Sequence, residues 1–279
     1  MKVLKTLKLY IRGELVRSES GRTFSVPFFS SEQTLANAPL ASRKDLRAAV
    51  EAAKGAQKSW EKKSAFNRSQ ILYRMAEMCE GKRDEFSIHF EEALGLDQTA
   101  SNKVIDNAID TFVYFAGFCD KYQQVLGSVN PVSSPHHNFT TPEATGVVAL
   151  VCDDQFNFSK IVANICGILA GGNTAVVLLG KMDTILLAPL AEVFATSDLP
   201  AGVVNLLTGQ LSELLEPLAS HMEINALSFQ NSNKEMYKMA QEKAVENLKR
   251  VKPLFKTHQS IGPIIEFVEF KTVWHPIGI

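Results

Sequence analysis

The most informative features of this 279-residue chain are things it has little of. It has four cysteines, Cys79, Cys119, Cys152 and Cys166, with no CxxC spacing and no histidine pairs near them, which excludes a zinc ribbon or a disulfide scaffold. No run of about 18 apolar residues interrupts the charges, so no membrane-spanning helix is expected. The opening "MKVLKTLKLYIRGELV" is broken by charges every few residues, unlike a secretory leader, and a cytoplasmic protein is the default expectation. A formal net charge of -1 leaves no bulk attraction to nucleic acid or to an anionic membrane, and neither is expected as a partner. Finally, no GxGxxG occurs anywhere, and glycine is sparse at the points where a phosphate cradle would need it.

What is present is an ordinary globular composition, 46% hydrophobic and 21% charged, so order is expected nearly throughout. After short alternating segments in "KLYIRGELVRSESGRTFSVPF", with turn signals at Gly13 and Ser20-Gly21, the chain turns helical. Ser42 with Asp45 three residues on marks one helix start, and Asn67 is read as opening a second helix. Further helices are read in "DEFSIHFEEALG" and, unbroken, in "NKVIDNAIDTFVYFAGFCDKYQQVL", whose apolar stripe includes Ile105, Phe112 and Phe115. A Pro- and Ser/Thr-rich stretch at about 127–145 reads as a projecting hairpin.

From "GVVALVC" onward, apolar strands alternate with single helices, the pattern of right-handed crossovers and a sheet covered on both faces. The expected fold is α/β: a doubly wound, Rossmann-like parallel sheet covered by N-terminal helices, with the protruding hairpin and a C-terminal strand. Ligands of such sheets sit at the carboxyl ends of the strands. Here those ends read "DDQFN", "LGKMD", "TGQLS" and "FQNSN", with only Gly180 and Gly209 to let a backbone approach a phosphate.

Individual side chains give two readings each. Cys152 ends the first sheet strand, but Asp153 and Asp154 beside it would raise a thiol's pKa, so a buried core cysteine is the better reading. His136-His137 has no acidic or cysteine partner nearby and reads as a pair of solvated loop histidines rather than metal ligands. Lys181 and Asp183 stand where a ribose or phosphate would lie, with capping of the next helix the favoured role for Asp183. The tail "IIEFVEFKTVWHPIG" is apolar on both faces, which suits a strand added to another sheet.

Several blocks together carry a family likeness: "IRGELVRSESGRTFSV", "GVVALVCDDQFNF", "ILAGGNTAVVLL", "DLPAGVVNLLTG", "INALSFQNS", "NLKRV" and the terminal "FVEFKTVW", in order. The chain resembles the aldehyde dehydrogenase superfamily from about residue 9 to its end. The resemblance implies an NAD(P)-binding domain, and after "NLKRV" a base glutamate, a glycine pair and a catalytic domain carrying the nucleophilic cysteine. Laid residue on residue, the glutamate falls on Leu254 and the glycines at about Lys256 and Thr257, so the catalytic domain is expected to be missing. The expected organisation is a cofactor-binding domain over 1–252, a bridge over 253–263 and an oligomerisation strand over 264–279.

The same comparison degrades the other chemistry positions. The family's oxyanion asparagine falls on Gln155, with Phe156 retained beside it, and Asn157 or Lys181 as the nearby substitutes. The ribose lysine falls on Leu178 and its acidic neighbour on Lys181. Gly209 survives without the glycines that follow it, and the Phe-Thr-Gly-Ser turn is Phe229, Gln230, Asn231 and Ser232. Aldehyde oxidation by this route needs a thiolate, an oxyanion donor, a base and a bound nicotinamide. The resemblance therefore implies a pseudoenzyme with no catalytic residue of its own and no cofactor expected. Its partner would be a homo- or hetero-oligomer, including one with a full-length aldehyde dehydrogenase. The weaker alternative keeps NAD or NADP in a module completed by a partner.

Overall fold

The computed structural model describes residues 4–152, 154–229, 233–253 and 259–278. The chain begins with β1 (Lys5–Thr6), β2 (Leu9–Ile11), β3 (Glu14–Val16), β4 (Thr23–Pro27) and β5 (Thr34–Pro39). Gly13 closes the β2–β3 turn at φ +80°, and a Cβ there would stand 3.0 Å from Ala201 Cβ, so both backbone freedom and space require glycine.

Four helices follow: α1 (Arg43–Glu61), α2 (Ala65–Gly81), α3 (Arg83–Leu94) and α4 (Gln98–Phe118). Ser42 and Asp45 form the expected reciprocal box at the start of α1, each side chain taking the other's backbone N–H. The second helix starts earlier than the sequence suggests. Ser64 is its cap, accepting the Asn67 N–H at 3.1 Å, and Asn67 sits inside the first turn. The long fourth helix also ends sooner, at Phe118, and a separate short α5 (Tyr122–Leu126) resumes after a turn in which the Lys121 N–H donates to Phe118 O.

The second half supplies β6 (Ser128–Asn130), β7 (His136–Ala144), β8 (Val147–Val151), α6 (Phe158–Ala170), β9 (Thr174–Leu179), α7 (Leu187–Ala195) and β10 (Val204–Thr208). It continues through α8 (Leu211–Ser220), β11 (Ala226–Phe229), α9 (Lys234–Ala244), β12 (Arg250–Pro253), α10 (Gly262–Ile265) and β13 (Val268–Pro276). The main sheet runs β12-β11-β8-β9-β10-β2-β3, parallel from β12 to β10, with β2 joining antiparallel. The chain steps outward from β8 through β9 to β10, then returns to the other side for β11 and β12. That reversal is the doubly wound topology anticipated above.

Alternation within the strands separates two cores. Val147, Ala149 and Val151 face a layer that includes Leu46, Val50 and Leu215 from α1 and α8. Val148 and Leu150 face the opposite core, built on Phe158, Ile161 and Ile165 of α6 and on Phe86, Phe90, Phe112 and Phe115. Helices α2 to α4 thus reach the sheet largely through α6, which is why α6 is buried nearly all round.

The projecting hairpin is a real element with a third strand. β7 is nine residues long, pairing with β6 on one side and antiparallel with β13 along its whole length on the other. Pro142 is tolerated within β7 because β6 extends only as far as Ser128 opposite Thr140, so no ladder donor is missed there. The two histidines are strand residues, not loop residues. His136 packs edge-on to Trp274 at 5.8 Å and its Nδ1 meets Ser134 Oγ at 3.0 Å, while His137 points to the other face beside Phe139.

Candidate functional site

The carboxyl ends of β8, β9 and β10 border a cavity of about 390 Å3, walled by Cys152, Asp154, Leu178, Lys181, Gly209 and the first turn of α8. This is the place a doubly wound sheet reserves for a ligand. Its residues, however, are largely occupied in holding the fold together.

Asn157 is held by its surroundings. It is the cap of α6, its Oδ1 accepting the Lys160 N–H at 3.2 Å, while its own N–H donates to Asp183 Oδ1 at 3.0 Å. Asp183 is 1% exposed, so this carboxylate fastens the β8–α6 loop rather than capping the helix that follows it. The Lys181 N–H likewise donates to Asp154 Oδ1 at 3.0 Å, a second tie between the same two loops.

Phe156 packs edge-on against Phe90 at 5.1 Å, part of the aromatic cluster under α6. Phe229 is buried and its ring contacts Tyr237 at 5.7 Å, so it serves the packing of α9 on the sheet. Leu178, paired with Val151 in the ladder, is 3% exposed and presents a hydrocarbon wall. Gln155 and the Lys181 side chain are exposed. Ser232 and Leu254, with Asp153, Gln230, Asn231, Lys256 and Thr257, lie outside the described residues.

The thiols offer no ready nucleophile. Burial pushes Cys79 and Cys119 up to about 12 and Cys166 well above its ordinary range, where Cys119 and Cys79 nearby add to the effect. Cys152 is 4% exposed and belongs to the core beneath α6. Among the described residues, no group of three or more His, Cys, Asp or Glu is arranged to hold a metal.

A dinucleotide fits this surface poorly. A phosphate cradle uses glycine to bring backbone close to the ligand. At Gly209 the space a side chain would fill is already taken by the protein, with Leu214 Cδ1 2.8 Å and Ala41 N 3.4 Å from an added Cβ. Among the described residues, Lys181 alone supplies a cation on the cavity wall.

The sequence reading missed a second cluster, at the seam between β12 and β13. Arg250 Nη1 donates to Val268 O at 3.2 Å and Nη2 to Thr145 Oγ1 at 2.6 Å, and it also pairs with Glu269. Lys252 pairs with Glu266 at 3.0 Å. Asn173, wholly buried, donates to Phe267 O at 2.8 Å and accepts the Gly146 N–H at 2.8 Å, so one amide links β8, β9 and the start of β13. Lys249 is 7% exposed, donates to His221 O at 2.8 Å, and is pulled down to about 8 by burial. A lysine and an arginine side by side in "NLKRV" were the available signal, since charges heading a half-buried strand need partners.

Fold and site together define a doubly wound α/β cofactor-domain architecture with a cavity at its strand ends. The family model for the aldehyde dehydrogenase family matches residues 15–254, and the chain belongs to that family. It is 31% identical over 250 residues to an aldehyde dehydrogenase, DhaS, named in Bacillus subtilis (strain 168), covering 88% of this chain and 50% of that protein. It is 30% identical over 251 residues to the cytosolic 10-formyltetrahydrofolate dehydrogenase of Xenopus tropicalis, covering 88% of this chain and 28% of that one. The NAD+ complex of an aldehyde dehydrogenase from Bacillus cereus superposes with a TM-score of 0.83 at 26% identity, over 89% of this chain and 50% of that one. The chain thus spans half or less of the length of these relatives.

Proposed function

We propose that this chain is a catalytically silent aldehyde dehydrogenase relative, retained for assembly with other subunits. One observation carries the reading: β12 ends at Pro253, α10 begins at Gly262, and β13 at Val268 is already paired with β7 of the same chain. The resemblance implies a whole catalytic domain between those points, and eight residues, 254–261, cannot contain a domain of the usual 50 or more. The base and nucleophile go with it, and losing a nucleophile removes the covalent route altogether.

The remaining chemistry positions support the same reading. Gln155 faces solvent, Asn157 is committed to a helix cap, and Leu178 puts hydrocarbon where a charge-assisted contact worth about 1.5–3 kcal/mol would be needed. Meanwhile the three-stranded sheet leaves β13 on its edge with Phe270 and Trp274 exposed, the form of a strand offered to another sheet. A cytoplasmic setting, and pairing with a full-length aldehyde dehydrogenase whose sheet would accept this strand, belong to the same proposal. No helix among the described residues is long and apolar enough to cross a membrane.

A second reading, an NAD(P)-binding module completed by a partner chain, draws on one feature. The first turn of α8 opens on the cavity beside Lys181, and its leading residue Gln210 makes no side-chain cap. The residues that would hold the cofactor there are Lys181, Ser212 and the backbone N–H groups of that turn, and the cofactor would supply hydride acceptance.

The test is reduced-nicotinamide formation by the purified chain with NAD or NADP and a panel of short aliphatic and aromatic aldehydes. The proposal expects a rate indistinguishable from the enzyme-free blank. Any turnover sensitive to a thiol-alkylating reagent would overturn it.

A further inference from the structure

The outer edge of β13 is a measured template. Phe267 O accepts the Thr145 N–H and the Ile277 N–H donates to Pro135 O, so the odd-numbered residues at both ends of this strand aim their backbone at β7. The register between them is continuous from Val268↔Ala144 to Pro276↔His136. By the alternation of an antiparallel ladder, the even-numbered residues aim their N–H and C=O groups at the open edge. The open stretch is bounded at both ends. Arg250 takes the outward carbonyl of Val268 at 3.2 Å, and Pro276 has no N–H to give. Phe270, Thr272 and Trp274 remain, symmetrically placed about Thr272.

Their side chains are self-complementary about the same centre. Phe270 and Trp274 stand on one face, 51% and 57% exposed. If a second β13 runs antiparallel with Thr272 opposite Thr272, each Phe270 meets a Trp274 directly across the strands, as a favoured aromatic pair. On the other face Glu269 meets His275, a carboxylate acceptor beside a ring that can donate an N–H, in the closely spaced, non-hydrogen-bonded positions. Lys271, held by Glu143 at 3.1 Å, lies opposite Val273, so no like charges face each other.

We propose that β13 is a self-pairing interface: two copies of this chain join edge to edge about a two-fold axis through Thr272. Two three-stranded sheets become one, with about six new backbone hydrogen bonds. This takes the homo-oligomer form of the assembly reading above, with a second copy rather than a full-length enzyme on this edge, and rests on that reading. The interface sits at the low end of specific contacts, on the order of 1,000 Å2, so dimerisation is concentration-dependent.

The experiment is sedimentation velocity of the whole purified chain across a concentration series, for the wild type, Thr272→Pro and Thr272→Lys. The Thr272 N–H faces outward, so the proline removes no backbone bond to β7, only the exposed contact of Thr272 Oγ1 with Thr140 Oγ1 at 2.9 Å. The lysine is an independent probe that sets two cations opposite each other. Both are expected to weaken dimerisation at least tenfold while the chain stays folded, with a cooperative thermal transition. Thr272→Cys should give a covalent dimer on mild oxidation, since directly opposite positions fall within disulfide reach. Lys271→Cys should not, because position 271 meets 273 of the other copy. A dimer that survives both substitutions overturns the self-pairing. A monomer that binds a full-length aldehyde dehydrogenase from the same genome, and loses it in Thr272→Lys, overturns self-pairing but leaves the assembly role standing. A monomer that binds neither overturns both.

Discussion

The seam between β12 and β13 and the carboxyl ends of the parallel strands are built on opposite terms. At the seam, polar groups from distant parts of the chain converge on the start of the final strand: Arg250, Asn173, Lys252 and Glu266. At the strand ends the described polar groups serve their own loops, as in Asn157 with Asp183 and Lys181 with Asp154. The contrast teaches where the fold's polar specificity resides. The terminal strand is an integral part of the body, whereas the surface associated with chemistry in this architecture is a lining.

Breaking the seam should therefore be costly. Asn173→Ala would leave the buried Gly146 N–H without its partner at a cost of about 1–3 kcal/mol, while the Phe267 carbonyl keeps only the longer bond from the Thr145 N–H. A loss of about 2 kcal/mol in denaturant unfolding is expected, with weakened hydrogen-exchange protection in β13. Gly167→Ala comes next. An added Cβ would lie 2.4 Å from Pro263 Cβ and 2.8 Å from its carbonyl carbon, forcing α10 off α6 at about 1–3 kcal/mol. Its thermal midpoint should fall, and limited proteolysis should begin near residue 260.

Lys249 gives a smaller, signed effect. Its folded pKa of about 8 lies below the unfolded value of about 10.4, so between those values the unfolded chain binds more protons and stability rises with pH. The penalty is fully present below about pH 8 and is relieved towards pH 10. Lys249→Met should flatten that rise in a series of denaturant midpoints; an unchanged slope would assign it to other groups. At the strand ends, Lys181→Ala and Gln155→Ala should change stability by no more than about 0.5 kcal/mol, the range of exposed substitutions away from special features. A larger loss would show that the cavity wall is under more structural demand than its contacts indicate.

Much of this was legible in the sequence, and the reason is local. Runs such as "GVVALV" and "TAVVLL" are too apolar and β-branched for anything but buried strands, and single helices between them fix a parallel sheet. Capping was legible where Ser42 and Asp45 announced it. It was missed at Ser64, because Asn67 is an equally good cap by composition and only geometry distinguishes them. The break after Phe118 was hidden because the apolar stripe continues through it. The altered composition of the strand ends, chiefly Leu178 and the sparse glycines, was legible directly. The roles taken up there were not, since Asn157 as cap and Gly209 as a packing contact depend on neighbours such as Asp183 and Leu214 brought in by the fold. The seam was least legible of all: Asn173 reaches a carbonyl 94 positions away and Arg250 a hydroxyl 105 positions away.

The central claim, that the strand ends no longer serve a dinucleotide, is tested most directly by calorimetric titration of NAD and NADP into the purified chain. The account predicts no heat of binding and no thermal shift at millimolar cofactor. Binding at micromolar strength, lost in Lys181→Ala, would contradict it and make the partner-completed module the working description of this protein.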